Sequence, residues 1–461
     1  MIYKLRPYQE ECVKSISDYI NSDRHDPVLV IGPVGCGKSI LIAEAARLMG
    51  DKTLVLQPSR ELLIQNYCKL TSYGIPATIY SASCGKKELS NMIYATLGSI
   101  KKVVGQLKEM GIRNVLIDEA HAGYSPEDGS EFMTFMNELK PRKVIGFTAT
   151  PCRLKNMSIG QTSYSQLNFI TRMRPVYFKN LIHVIQVEEM IRQEFWTPLK
   201  YETWDFNGDA LKLNSNGSEY TAESISEAVR KNGLNNLILR RLMVLKDICR
   251  SILVFMDSVE SCNTAAEWMN AKICAGIAEV VHGGTPKKQR EAIVERFKSG
   301  KTKVVFNYSA LGTGFDHPGL DCVIVGRPTF SFSSFYQWLG RAVRIKDGKD
   351  SALVVDCCNN SSRFGDIREL SIENYKGYGW GMFIGDKLIT NIPMGDKVTK
   401  TDLDIKAAKK DRRRGLAQGV TAAPVPGRPD HPLGSTLMAF GKYCGWMLHS
   451  IPVSYFKFIN E

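Results

Sequence analysis

The chain has 461 residues, 44% of them hydrophobic and 23% charged, with a formal net charge of +13. That length exceeds one ordinary core and implies two or three domains, and the composition excludes a disordered or fibrous chain. The positive excess favours a polyanionic partner, and no apolar run reaches the length that spans a bilayer, so no membrane role is expected.

Twelve cysteines stand singly except for Cys357-Cys358, and no C-x-x-C pair occurs. This argues against a zinc ribbon and against a disulfide framework. The N-terminus lacks a signal-peptide layout, so a reducing compartment, a cytoplasm, is the expectation.

In chain order, Leu5 to Val13 lead into an amphipathic helix ending near Tyr19-Ile20. The amide of Gln9 can donate to and accept from the edge of an adenine, and equally suits a helix surface. The apolar run Val28 to Ile31 precedes Gly32-Pro33-Val34-Gly35-Cys36-Gly37-Lys38-Ser39, of the form G-x-x-x-x-G-K-S, and a helix-forming stretch follows from Ile40. Strand, glycine turn and helix form the setting of a phosphate-binding loop. Gly35 and Gly37 let the backbone close around phosphates, with amides pointing inward at the helix start. Lys38 then reaches the β- and γ-phosphates, and the Ser39 hydroxyl holds magnesium.

Thr53 to Gln57 reads as a buried strand, followed by Pro58-Ser59-Arg60-Glu61-Leu62 with Ser59 as helix cap. Strand ends of this kind are where ligands bind in parallel sheets. Tyr94 to Ile100 is a second such place, where Thr96 and Ser99 suit sugar–phosphate oxygens or, taken alone, capping. The strand Asn114 to Ile117 runs into Asp118-Glu119-Ala120-His121. Two adjacent acids fit a magnesium-coordinating carboxylate, Asp118, beside a water-polarising one, Glu119. Lys143 to Pro151 is a strand that stops at Thr148 and Thr150, hydroxyls placed to bridge the carboxylates or His121 to other parts of the molecule. Alternating strands and helices through 28–150 predict a doubly wound parallel sheet.

The signals weaken from about 155 to 235, where polar runs predict an exposed connector over 179–235 and Phe195-Trp196-Thr197-Pro198-Leu199 is apolar enough to pack on a domain. Alternation resumes with strands at 251–255, 277–281, 303–307, 322–325 and 352–355, a second α/β unit with no phosphate loop. Its turn Ser309 to Asp316 has glycines for close approach, with Asp316 able to accept from a ribose hydroxyl or a basic side chain. Gln337, Arg341 and Arg344 are spaced i, i+4, i+7, which on a helix puts them on one face. Two guanidinium groups on one face suit the charge of a transferring phosphoryl group.

The ordered set GPVGCGKS, PSREL, DEAH, TAT, SALGTGFD and QWLGRAVR resembles superfamily 2 helicases and translocases of the DExH (DEAH-box) type, over residues 5–356. Within that superfamily the chain is similar to phage UvsW-type and bacterial RadD-type recombination and repair helicases, including those of T5-like bacteriophages. The RadD-type cysteine cluster is missing here, so no zinc is carried over. The resemblance implies an α/β fold of two tandem RecA-like parallel-sheet domains, residues 1–178 and 236–360, with ATP and magnesium between them. It implies DNA, forked, branched or single-stranded, lying across both, and recombination or replication proteins as partners; a phage protein of this kind works in the host cytoplasm. Arg6, Gln9, Gly35, Gly37, Lys38, Ser39, Gly314 and Asp316 match nucleotide contacts, and Ser39 and Asp118 match the magnesium ligands. Lys38, Asp118, Glu119, His121, Gln337, Arg341 and Arg344 match the catalytic set, with the two arginines as fingers. Pro58, Ser59, Arg60, Thr96, Ser99, His282, Gly283, Ser309 and Thr313 match positions facing nucleic acid.

Beyond the motor, a small C-terminal α+β region is expected. Tyr375 to Ile389 reads as an aromatic hairpin turning at Gly385-Asp386, and a basic extension follows to residue 416, with Lys397, Lys400 and Lys406 near its start. A proline-containing linker at 417–432 and a small module at 433–461 complete the chain.

Overall fold

The computed structural model describes residues 4–159, 162–312, 315–376 and 378–407. Two compact units divide the chain. One runs to Glu373 and takes in 380–385 and 389–396; the other holds 374–379, 386–388 and the residues from 397.

The first unit contains two parallel sheets. Lobe 1 is built from β1 (Val28–Ile31), β2 (Thr53–Leu56), β3 (Thr78–Ser81), β4 (Lys86–Lys87), β5 (Met92–Ala95), β6 (Asn114–Ile117) and β7 (Lys143–Thr148). A two-stranded antiparallel ribbon, β8 (Cys152–Ile159) with β9 (Thr162–Phe169), follows, and β10 (Asn180–Val184) returns to the sheet edge. The strand order is β10-β1-β7-β6-β2-β5-β3-β4, with only β3–β4 antiparallel. Every residue of β1, β2, β5 and β6 is buried. Helices cover both faces of such a sheet, which is why these strands read as continuous apolar runs rather than alternating ones.

Lobe 2 consists of β11 (Leu199–Thr203), β12 (Ile252–Phe255), β13 (Ala278–His282), β14 (Val304–Tyr308), β15 (Cys322–Val325) and β16 (Ala352–Asp356), in the order β11-β16-β15-β12-β14-β13, all parallel. The two parallel α/β units expected from the alternation are present, as the resemblance to RecA-like domains implies.

One expectation changes. The stretch 179–235 is not a plain exposed connector, because β10 pairs with β1 and β11 pairs with β16, completing an edge of each sheet. These strands are half exposed and carry Asn180, His183, Lys200 and Glu202. An edge strand with one wet side shows no apolar run to betray it.

Three helices position the first lobe's chemistry: α1 (Pro7–Asn21), α2 (Lys38–Met49) and α3 (Arg60–Thr71). The Ser59 hydroxyl accepts from Leu62 N and caps α3, as its sequence position suggests. Further on, β17 (Leu370–Tyr375) and β18 (Gly379–Ile384) are strands, and the chain turns at Gly385-Asp386 where a hairpin was expected, with Ile389 N donating to Met382 O at 2.9 Å. In the second unit β19 (Lys387–Leu388) pairs antiparallel with β20 (Val398–Thr399). The basic extension past 407, the linker and the terminal module lie outside the described residues. Among the described residues no helix is long and apolar enough to cross a membrane.

Candidate functional site

The site grows from the end of β1. Gly35 and Gly37 adopt left-handed φ angles of 81° and 83°, which glycine reaches without steric cost. A Cβ on Gly37 would sit 2.6 Å from Gln9 Nε2, so a side chain there would be strained by the left-handed φ and would displace the Gln9 amide. Lys38 opens α2, and its Nζ lies 2.8 Å from Glu119 Oε1. The loop's positive group is therefore ion-paired with the acid that follows β6.

Asp118 is 3% exposed and held from two sides. Its Oδ2 accepts from Asn66 Nδ2 at 2.8 Å and its Oδ1 from Glu119 N at 2.9 Å. Burial and then the neighbouring Glu119 charge push its carboxyl up to about 7, against the opposing pull of Lys38. Glu119 goes the other way. Burial alone would raise it, but the Lys38 ammonium paired with it outweighs burial and holds it below the usual range. Glu119 sits at φ 46°, rare for a side-chain-bearing residue and a mark of local strain at a working position.

The pair of hard oxygens, the Ser39 hydroxyl and the Asp118 carboxylate, fits magnesium in ligand type. Asp118 is also a buried acid beside a second carboxylate, an arrangement that a bound cation relieves. Gln65 Nε2 now lies 3.3 Å from Ser39 Oγ.

His121 is buried, and burial brings its imidazole down to about 4, so it is neutral at physiological pH. Its Nδ1 lies 2.8 Å from Thr148 Oγ1 and 3.3 Å from Glu119 Oε2, while Nε2 faces Thr150 Oγ1 at 3.1 Å. The hydroxyls at the end of β7 thus bridge to His121.

From lobe 2, the helix Phe332–Leu339 carries Gln337 and ends with Gly340 as its cap. This corrects the expectation that Gln337, Arg341 and Arg344 share one helical face, because the helix stops before both arginines. Past Leu339 the chain tightens into i to i+3 bonds, Arg341 N donating to Trp338 O and Ala342 N to Leu339 O, and the carbonyls beyond are held from outside, Val343 O by Thr197 N and Arg344 O by Thr197 Oγ1 and Lys349 Nζ. All three side chains nevertheless line the same cleft as Lys38, Ser39, Asp118 and Glu119. Arg341 is fixed by two main-chain carbonyls, Phe315 O at 2.6 Å and Gly312 O at 2.5 Å. Arg344 also bonds Phe315 O and pairs with Asp316. Burial, with repulsion from Arg344, lowers Arg341 to about 9, which leaves it cationic at neutral pH.

Arg6 lines the cleft, its guanidinium 4.5 Å from the Phe195 ring centre. Gln9 does not reach the cleft wall. Its Oε1 accepts from Arg6 N at 3.0 Å and its Nε2 donates to Cys36 O at 2.8 Å, bracing the phosphate loop from beneath. Gly314 and Thr313 lie outside the described residues.

The described positions expected to face nucleic acid stand at strand ends, and Ser59, Thr96, Ser99 and His282 among them are engaged within the protein. Pro58 and Gly283 are exposed; Arg60 Nε is buried without a hydrogen-bond partner. Thr96 Oγ1 donates to Ser99 Oγ, which accepts from Ala82 N at 3.0 Å. His282 Nδ1 accepts from Gly284 N, and Ser309 is exposed at φ 52°.

Sequence reasoning missed Asn66, Phe195 and Ser333. Asn66 lies two turns into α3 with no motif to mark it. Phe195 and Trp196 were visible as an apolar cluster but not as part of the site, although Trp196 Nε1 donates to Val34 O at 2.9 Å. Ser333 Oγ comes within 3.3 Å of His121 Nε2.

The fold and this cleft define a pair of parallel-sheet α/β lobes that meet around a glycine-rich loop of the phosphate-binding form. Residues 2–153 match the family of the type III restriction enzyme res subunit, and residues 234–346 match the helicase conserved C-terminal domain. The two matched segments fall one on each lobe. It is 25% identical over 332 residues to a 51.5 kDa protein of a Lactococcus phage, covering 71% of this chain and 65% of that one. It is 23% identical over 378 residues to IRC3 of Saccharomyces cerevisiae, a candidate ATP-dependent helicase by its name, covering 78% of this chain and 52% of that protein. In fold it is similar to the ATP-dependent type ISP restriction-modification enzyme LlaBIII bound to DNA, with a TM-score of 0.57 at 17% identity, over 78% of this chain and 28% of the enzyme. The chain thus spans about half to two thirds of the length of these curated relatives.

Proposed function

We propose that this protein is an ATP-driven DNA helicase or translocase that unwinds or branch-migrates forked and junction DNA in recombination, repair or replication. One observation carries the reading: the phosphate loop of lobe 1 and the arginines of lobe 2 line a single cleft. Lys38, Ser39 and Asp118 would hold the triphosphate with a magnesium ion, which would supply positive charge beside the phosphates. Glu119 orients the attacking water. For this, Lys38 leaves Glu119 and turns to the phosphates, which frees the Glu119 carboxylate for water. Arg341 and Arg344 then stabilise the charge of the transferring phosphoryl group. Hydrolysis depends on both lobes, so closing and reopening the cleft is coupled to each turnover and moves the motor along a strand.

The net charge of +13 supports a polyanionic partner, and the names of the relatives support a helicase. The phage relative and the motif set support a UvsW-type or RadD-type role in the host cytoplasm. The rival readings are an RNA helicase and an ATP-gated clamp on branched DNA without net unwinding. Strand displacement on forks, four-way junctions and simple duplexes, each with ATP and each with an RNA counterpart, separates them. Activity on RNA alone, or binding without displacement, would reject the proposal, and equal activity on every DNA would remove its branch-migration part.

A further inference from the structure

We infer that Ser333 is a positioning residue for ATP hydrolysis, the lobe 2 hydroxyl that orients His121 toward Glu119. The inference rests on the motor reading above, and its geometry is that of one hydrogen-bonded chain. Glu119 Oε2 is buried with no hydrogen-bond partner, and His121 Nδ1 lies 3.3 Å from it while standing 2.8 Å from Thr148 Oγ1. A neutral imidazole has one N–H and one acceptor nitrogen. For Nδ1 to present its proton to the carboxylate, Nε2 must act as acceptor, and what lies beside Nε2 decides this.

Two hydroxyls lie there. Thr150 Oγ1 is 3.1 Å away and belongs to lobe 1; Ser333 Oγ is 3.3 Å away and belongs to lobe 2. They are 3.1 Å from each other. Either Ser333 donates to Nε2, or it donates to Thr150 and Thr150 donates on. In both cases the lobe 2 hydroxyl strengthens the chain that ends at Glu119, because linked hydrogen bonds polarise one another.

Ser333 shares its helix with the elements that reach the cleft. Ser331 caps the start of Phe332–Leu339, Gly340 ends it, and Arg341 follows. Gly340 packs directly on Val34 of the phosphate loop, where a Cβ would collide with the valine side chain. When this helix docks, the arginine enters the cleft and the serine meets His121 together. Ser333 thereby makes Glu119 sensitive to whether the lobes are closed.

Steady-state ATP hydrolysis by the full chain, with single-stranded DNA present, tests this. Ser333→Ala should lower kcat about tenfold, the scale on which neighbours in one hydrogen-bonded network couple. The KM for ATP should stay within about twofold, since the serine does not touch the nucleotide. Ser333→Thr keeps the hydroxyl and should restore most of the rate. In a His121→Ala background the serine has nothing to orient, so adding Ser333→Ala should change kcat by less than about twofold. Melting curves matching the parent's exclude misfolding as the cause. A wild-type kcat in Ser333→Ala, or the full tenfold loss persisting without His121, would overturn the inference. A parent protein without DNA-dependent ATP hydrolysis would remove the motor reading as well, whereas an active parent with an unaffected Ser333→Ala variant removes this inference alone.

Discussion

Two strand-to-helix turns of nearly the same construction do different things. β1 ends in Gly32 to Lys38, whose left-handed glycines leave space and amides for phosphate. β12 ends in Met256-Asp257-Ser258, where Ser258 caps the helix Val259–Lys272 by accepting from Ser261 N, and the buried Asp257 accepts from Ser226. An acid at that place repels a phosphate, and a capped helix end has fewer free amides to offer it. Both strands are fully buried and both lobes are parallel sheets, so the fold alone does not distinguish them. The chemistry sits in the turns. On the proposed function, lobe 1 holds the groups for phosphate and metal, and lobe 2 supplies guanidiniums fixed by main-chain carbonyls.

The largest effects should come from breaking this division of labour. Lys38→Ala should lose both ATP binding and turnover. Arg341→Ala should keep binding but lose turnover by about 10³-fold or more, the scale of an arginine finger. Nucleotide binding by titration alongside ATPase rates checks both, and equal loss of binding in the two variants would erase the contrast between lobes. Next in size, Gly340→Leu forces a side chain into Val34 and should cost about 1–3 kcal/mol of inter-lobe packing. Calorimetry should show lowered cooperativity between the lobes, with ATPase falling in step.

A smaller effect is expected at the base end of the cleft. Phe195→Ala should raise KM about fivefold, the worth of one aromatic stacking contact. With the Gln9 amide engaged on Arg6 N and Cys36 O, the rise should be similar for ATP and GTP. A selective loss for ATP would put Gln9 back at the adenine edge. The smallest concerns the lobe 1 edge. A hydrogen bond from Arg24, against the cost of burial and with help from Asn180, holds the Asp26 carboxyl down to about 2. A carboxylate lowered on folding adds stability that is complete above its unfolded value of about 3.9 and is lost as pH falls toward 2. Asp26→Asn should therefore cost less than about 1 kcal/mol at neutral pH, because the pair is partly exposed, and should flatten the acid limb of a stability–pH profile.

Much of the site was legible because it is local. Ser59 caps α3, Lys38 opens α2, and Asp118-Glu119 ends β6, all within a few residues of the strand that presents them. What escaped depends on distant packing. Ser333 meets His121 across 212 positions, and Trp196 reaches Val34 across 162. No periodicity encodes such contacts. The misread helix through Arg341 and Arg344 is a similar case, since both guanidiniums are tied to Gly312, Phe315 and Asp316, 26 to 29 positions earlier in the chain.

The segment joining the lobes touches both sides of the reaction centre. Trp196 donates to the phosphate loop at Val34, and the next residue, Thr197, donates to Val343 and Arg344. If the lobes turn about this segment, as the proposed motor requires, the pivot has a short inner arm at the cleft and a long outer one. Small angular changes around bound nucleotide are therefore magnified at the far rims of the two sheets, and stiffening Trp196-Thr197 would shorten the stroke before it slowed the chemistry.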